Sequence, residues 1–181
     1  VGLQGILIRY EIADVHQQIN DCMMCRLCLE GVNKERVMPK VGNNKVLIIS
    51  QNPSHKRIGD SVRGGLDKLR DKELDEMLED CHITNLVKCS FVDNNVPEDI
   101  GRIVDCCYQH LNNELCAIQP ERIIVLGSLA RQALKPMFGD KATYLYHPMY
   151  SIYKGFRKQY VEDVKKIIRG DENENDNTEG R

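Results

Sequence analysis

Lys45-Val46-Leu47-Ile48-Ile49-Ser50-Gln51-Asn52-Pro53-Ser54 is the stretch on which the fold turns. Its apolar core is continuous and mostly β-branched, and the Asn-Pro-Ser signal closes it. That pattern predicts a strand buried on both faces, as in the interior of a parallel sheet. Working outward, three further short apolar runs read as strands: Ile83–Lys88, Arg122–Leu126 and Thr143–Tyr146. Between them lie segments with apolar steps of three and four. Leu66–Leu78 reads as a helix, as does a segment opened by Pro97-Glu98-Asp99 that runs to Ile118. The acids at 98 and 99 are expected in that helix's first turn, where the dipole favours them. Gly127-Ser128 starts another helix through Leu134, residues 158–169 form the last, and Tyr10–Ile19 forms one before the first strand. Strands alternating with helices predict an α/β fold around a parallel sheet covered on both faces.

In such sheets ligands bind beyond the carboxyl ends of the strands. Three polar clusters are expected there: Gln51 to Ser54, Asn85 with Cys89 to Asn95, and His147-Pro148-Met149-Tyr150. The chain has 181 residues, enough for one domain with a real core. Residues 1–169 read as that domain. Residues 170–181, acidic, Asn-rich and apolar-free, read as a disordered tail. The net charge of −2 excludes a uniformly basic, histone-like binder. No apolar run approaches the roughly 18–20 residues that span a bilayer, and no signal peptide is visible. An intracellular, cytoplasmic, nucleoid-associated monomer without a membrane role is the expectation.

Eight Cys is a high count for a chain of this size and class. A secreted disulfide scaffold is usually much shorter, so a metal site in a reducing compartment is expected. Cys22-x2-Cys25 places two thiolates where one loop chelates one centre. Cys89, at the end of the second strand, and Cys107, in the following helix, complete a set of four. Cys28 and Cys106 are spare candidates, and Cys81 and Cys116 read as core or surface thiols. Spacing alone leaves zinc and iron–sulfur both open.

The ordered set of Cys22-Met23-Met24-Cys25-Arg26-Leu27, a strand ending in a Pro turn, Ile83-Thr84-Asn85-Leu86-Val87-Lys88-Cys89, a helical Cys thirteen residues before Pro120, Arg122-Ile123-Ile124-Val125-Leu126-Gly127, and Tyr146-His147-Pro148-Met149-Tyr150 resembles the uracil-DNA glycosylase superfamily. It is most similar to the family 4 type of thermophiles and archaea over roughly residues 12–155. The resemblance implies a three-layer α/β/α sandwich with a central four-stranded parallel sheet. It also implies a structural 4Fe–4S cluster on Cys22, Cys25, Cys89 and Cys107, and so selects iron–sulfur over zinc. The spacing to Pro120 favours Cys107 over Cys106. Three features depart from family 4. Its first motif is usually Gly-Glu-Ala-Pro-Gly, whereas Ser50-Gln51-Asn52-Pro53-Ser54 is closer to the Asn-Pro motifs of the mismatch-specific and single-strand-selective branches. The Phe expected to stack on a flipped base is missing, since no aromatic lies between Pro53 and Leu66. The loop itself is shorter and ends in Val62-Arg63-Gly64-Gly65.

The resemblance implies a monofunctional DNA glycosylase of base excision repair, acting on DNA that contains uracil or another deaminated base. Such chemistry needs an extruded base, a donor to the charge developing on it, and a held water. His147 is the candidate donor, Asn52 the water holder, and Gln51 stands where family 4 carries an acid. Asn85 is the candidate base reader, since an amide offers a donor and an acceptor side by side. Pro53 and Ser54 belong to the substrate-binding set, with Ser54 toward a phosphate. Met149 and Tyr150, with Ile152, are candidate wedges in the duplex. Arg57, Arg63, Lys154, Arg157 and Lys158 are candidate phosphate contacts. Two other readings are a catalytically silent iron–sulfur module that binds nucleic acid within a repair or replication assembly, and a zinc-dependent interaction domain.

Overall fold

The computed structural model describes residues 11–29, 37–53, 61–91 and 95–171. The strands are β1 (Val46–Ser50), β2 (His82–Asn85), β3 (Arg122–Leu126) and β4 (Ala142–Leu145), all parallel, in the order β2-β1-β3-β4. The helices are α1 (Ile12–Asn20), α2 (Arg26–Leu29), α3 (Lys72–Asp80), α4 (Ile100–Ile118), α5 (Ser128–Phe138), α6 (Pro148–Tyr153) and α7 (Arg157–Arg169). The expected α/β/α layering is present. All five residues of β1 are buried, as its unbroken apolar run requires.

Alternation along the strands sorts the core into two layers. Val46, Ile48, Ile83, Ile124 and Leu126 pack with Leu74, Leu78 and Val164 of α3 and α7. Leu47, Ile49 and Val125 pack the other way, with Leu111 of α4 and Ala130 and Leu134 of α5. Ser50 and Asn85 continue the α3/α7 side, in register with each other across β1 and β2. Thr84 points to the α4 side. Among the described residues no helix is long and apolar enough to cross a membrane.

Four boundaries differ from the sequence expectation. The segment Leu66–Leu78 is two pieces, a 3₁₀ turn at Leu66–Leu69 and then α3. Between them Arg70 adopts a left-handed φ of 50°, and Asp71 caps α3 by accepting the Leu74 N–H at 2.9 Å. The step of five between Leu69 and Leu74 breaks the helical period at that point. β2 stops at Asn85 rather than Lys88, because the chain turns and buries Leu86 and Val87 in the bend. α4 starts at Ile100, leaving Glu98 and Asp99 outside its first turn. Asp99 instead takes a two-pronged ion pair with Arg26. α5 continues past Leu134 to Phe138 despite Pro136, with Phe138 packed against the core.

Lys165 of α7 is not a solvated surface charge. It is buried and ion-paired with Asp71 at 2.9 Å and Glu73 at 2.7 Å, tying α7 to α3. The Leu74 N–H, then Lys165, hold the Asp71 carboxyl below its ordinary value. Asp71→Ala should therefore cost about 1–2 kcal/mol in urea unfolding at neutral pH. A carboxylate with a lowered native pKa stabilises above its unfolded value and loses that contribution as pH falls through the native one. The gap between parent and variant should close below about pH 4. A gap that persisted under acid would contradict the cap.

Candidate active site

β1 and β2 end side by side, and their last residues meet through side chains. The Ser50 hydroxyl donates to Asn85 Oδ1 at 2.6 Å, with both residues buried. This leaves Asn85 Nδ2 buried without a hydrogen-bond partner among the described residues. A buried amide N–H pair left unmatched is costly, and such groups ordinarily mark a place that a ligand or water completes. The unmatched edge of this amide is a donor beside the second lone pair of Oδ1.

His147 follows β4 by two residues. Its Nδ1 accepts the Met149 N–H at 3.3 Å and caps α6, with Pro148 at the first helical position. Because Nδ1 accepts, the neutral imidazole carries its proton on Nε2. Burial lowers the His147 pKa and favours that neutral form. One nitrogen thus does the structural work of a cap, and the other is a donor with no partner among the described residues.

Two glycines bring these groups to one place. Gly64 has a φ of 57°, and a Cβ there would stand 2.4 Å from Ser50 Cβ and 2.5 Å from its hydroxyl. Gly65, with a φ of 85°, lies against the far edge of His147; a Cβ there would be 3.2 Å from Cε1 and 3.8 Å from Nε2. Met149 Cγ lies 3.7 Å from the same point. A Cβ at Gly127, whose φ is 93°, would stand 3.6 Å from His147 Cβ and 3.7 Å from Cδ2. The Gly64-Gly65 backbone therefore lies against Ser50 at its first residue and against the imidazole edge at its second.

The remaining expected site residues fall as follows. Gln51 and Asn52 are half-buried on the bend after β1. The Gln51 carbonyl accepts the Val87 N–H at 2.9 Å. Asn52 Nδ2 donates to the Pro53 carbonyl at 2.9 Å, so its nitrogen serves the turn and its Oδ1 remains an acceptor. No contact joins Asn52 to Asn85 or His147 among the described residues. Tyr150 is exposed and lies in an aromatic group with Tyr146, 4.9 Å between centroids, and Phe156 at 6.0 Å. Lys154 stands 5.8 Å over the Tyr150 ring. Lys154, Arg157 and Lys158 are exposed beside this group, whereas Arg63 is held in ion pairs with Asp75 and Glu79 of α3. Ser54 and Arg57, like the tail beyond Asp171, lie outside the described residues.

Cys89 and Cys107 are buried in one apolar group with Leu27, Val87, Phe91 and Ile103, and Cys25 packs against it. Cys22 sits three residues earlier on the same loop. No three His, Cys, Asp or Glu side chains among the described residues are gathered tightly enough for a single metal ion. A cubane binds each thiolate to a different iron, so it asks for four thiols around an apolar hollow rather than around one point. Cys25, Cys89 and Cys107 supply three of the four from a shared apolar wall, and Cys22, three residues from Cys25, is the candidate fourth. Cys106 is half-buried, and its thiol donates to the Met24 carbonyl at 3.4 Å, on the loop between Cys22 and Cys25. Cys81 is buried at the end of α3, where burial raises its pKa, and Cys116 is exposed. The Cys28 side chain lies outside the described residues.

Against this geometry the comparisons are informative. The profile of the uracil DNA glycosylase superfamily matches residues 39–168, so the chain belongs to that superfamily of DNA glycosylases. Among curated relatives it is similar to the type-4 uracil-DNA glycosylase of Archaeoglobus fulgidus, 28% identical over 82% of this chain and 89% of the relative. The type-4 uracil-DNA glycosylase of Pyrobaculum aerophilum is 27% identical over 80% of this chain and 75% of the relative. That of Saccharolobus solfataricus is 25% identical over 84% and 83%.

Asn85 and His147 are expected from the sequence, whereas Ser50, Gly64 and Gly65, which pack against them, are not among the expected site residues. The adjacent Gly64-Gly65 pair was the available signal, since consecutive glycines often mark a close backbone approach. Gly64→Ala should destabilise the protein by more than Gly155→Ala. Both positions have a positive φ, 57° and 79°, but nothing lies within 4 Å of a Cβ at 155. A positive φ costs a side chain about 1–3 kcal/mol at either position, and the excess at 64 measures the push on Ser50. Equal melting temperatures for the two variants would show that Gly64 does not press on the pair.

Proposed function

We propose that this protein is a monofunctional DNA glycosylase that hydrolyses the N-glycosidic bond of uracil in DNA. The observation that carries the reading is the unmatched Asn85 amide, its Oδ1 held by Ser50, with Gly64 against that serine and the next residue, Gly65, against the imidazole edge of His147. An extruded uracil presents a carbonyl oxygen beside a ring N–H. Asn85 Nδ2 donates to the carbonyl, and Oδ1 accepts the N–H with its second lone pair. Cytosine presents the reverse pattern and is refused with Ser50 holding Oδ1 in place.

Bond breaking moves the glycosidic electron pair onto the base, and the charge collects on its other carbonyl oxygen. His147 Nε2–H donates there as a neutral imidazole, which stabilises the anion without first giving up its proton. Water held by Asn52 Oδ1 adds to the sugar carbon on the opposite face. Its surplus proton passes to solvent or to the departing uracil anion, leaving free base and an abasic sugar. With Gln51 in place of an acid, the water is positioned rather than deprotonated by that side chain. Tyr146, Tyr150 and Met149 form the surface expected against the duplex, with Lys154, Arg157 and Lys158 toward phosphates.

Cys22, Cys25, Cys89 and Cys107 would hold a 4Fe–4S cluster. When bound, such a cluster supplies cross-linking of the N-terminal loop to the β2 bend and α4, which stabilises the fold. Cys25→Ser should lose the visible iron–sulfur absorption and melt well below the parent. A colourless variant that melted like the parent would contradict a structural cluster.

The activity is tested by incubating the protein with oligonucleotides containing uracil, hypoxanthine, xanthine or mismatched thymine, followed by alkali. Strand scission at uracil is expected, falling roughly 10²–10³-fold in His147→Asn. Intact strands throughout, from cluster-replete protein, would refute the reading. The parent's rate should also fall in acid. A second proton on the ring would sit on Nδ1 and face the Met149 N–H, so protonation breaks the cap. Since burial lowers the native His147 pKa, this loss lies below the ordinary histidine value of about 6.5. A rate that declined above that value would contradict a neutral donor.

A further inference from the structure

On the reverse side of β2 from the Asn85 side chain lies a buried polar group that the proposed chemistry does not use. Lys88 is 2% exposed and Glu114 of α4 is 0% exposed. The Lys88 ammonium donates to Glu114 Oε2, to Thr84 Oγ1 at 2.6 Å and to the main-chain carbonyl of Asn85 at 2.7 Å. The Thr84 hydroxyl donates in turn to Glu114 Oε1 at 2.7 Å. All three ammonium protons are matched, and both carboxylate oxygens are engaged.

Stability alone is a poor reason for this pair. Apolar residues of similar volume commonly serve as well or better, because two charges must be stripped of water. What an apolar pair lacks is direction. Lys88 reaches back three residues to fix the carbonyl of Asn85, while Glu114 anchors Lys88 to the long helix. On the other edge, Leu86 N–H donates to the Ser50 carbonyl at 2.7 Å and Val87 N–H to that of Gln51 at 2.9 Å. The bend after β2 is thereby held from both sides. Cys89 follows Lys88 directly, and Cys107 precedes Glu114 by two helical turns on the same face of α4. Both residue pairs therefore join the same bend to the same helix.

We propose that Lys88 and Glu114 are positioning residues: a buried charged clamp that sets the Asn85 amide where a uracil edge can meet it. The proposal rests on the reading of Asn85 as base reader. A clamp of this kind predicts that base recognition and fold stability come apart when its charges are replaced by apolar groups.

The test uses the cluster-replete full chain and the double substitution Lys88→Met with Glu114→Leu. Free uracil is the probe, measured as an inhibitor of single-turnover excision. Amide hydrogen exchange at Leu86 and Val87 is compared with that at Ile124 and Val125. The double variant should melt close to the parent. Its inhibition constant for uracil should rise about tenfold or more, the fold-change expected for losing a hydrogen bond to a charged group. Its affinity for undamaged duplex should be unchanged, and exchange should quicken at Leu86 and Val87 alone. A double variant with the parent's uracil inhibition and the parent's exchange at both amides would overturn the clamp. Should the double variant fail to fold, Thr84→Val removes only the shared hydroxyl. It should weaken uracil inhibition by about three- to fivefold, and parental behaviour there would overturn the clamp equally. A parent that excised no base, with exchange at Leu86 and Val87 still selectively quickened by the substitutions, would refute the proposed function and leave the clamp standing.

Discussion

Two parallel strands end together at Ser50 and Asn85, and the 2.6 Å hydrogen bond between their side chains is the constraint on which the site depends. It spends one lone pair of the Asn85 carbonyl and leaves the amide nitrogen unmatched in a buried place. The sheet supplies the precision. β1 and β2 are in register up to these two residues, so the pairing is fixed by main-chain hydrogen bonds rather than by flexible loops. The Gly64-Gly65 backbone then carries that geometry across to His147, and a side chain at either glycine would part the two halves.

The superfamily membership and this local geometry bear on different links of the argument. Matching over residues 39–168 establishes descent and the class of protein. It leaves open how a chain with Asn52-Pro53 in its first motif, and no aromatic before Leu66, handles a base. Ser50 offers part of an answer, because a hydroxyl at the strand end lets the neighbouring amide discriminate by orientation. The aromatic group of Tyr146, Tyr150 and Phe156 lies on α6 and its approaches, more than eighty residues along the chain from the first motif.

Much of this was legible in the sequence, for reasons that particular residues make clear. The strands could be read because Val46 to Ile49 and Ile123 to Leu126 are apolar without alternation. The end of each strand could be read from Pro53 and Gly127. The break at Arg70 and Asp71 was hidden by a leucine pattern that looks helical until its step of five is counted. The α4 boundary slipped because Asp99 answers to Arg26, a partner 73 residues away, rather than to the helix dipole. Long-range pairing of that sort leaves no local trace. The same holds for Lys88, which in an apolar run reads as the edge of a strand, and for Glu114, which reads as one more charge on a helix. Lys165, whose partners Asp71 and Glu73 lie more than ninety residues away, likewise gives no local sign of its burial.

If Asn85 and His147 face one base, a single small molecule must touch both. Titrating ¹⁵N-labelled, cluster-replete protein with free uracil tests this directly. The account predicts that the side-chain amide of Asn85 and the Nε2–H of His147 shift together, along one saturation curve, while remote side chains stay in place. Shifts at only one of the two, or curves with different midpoints, would contradict a common site.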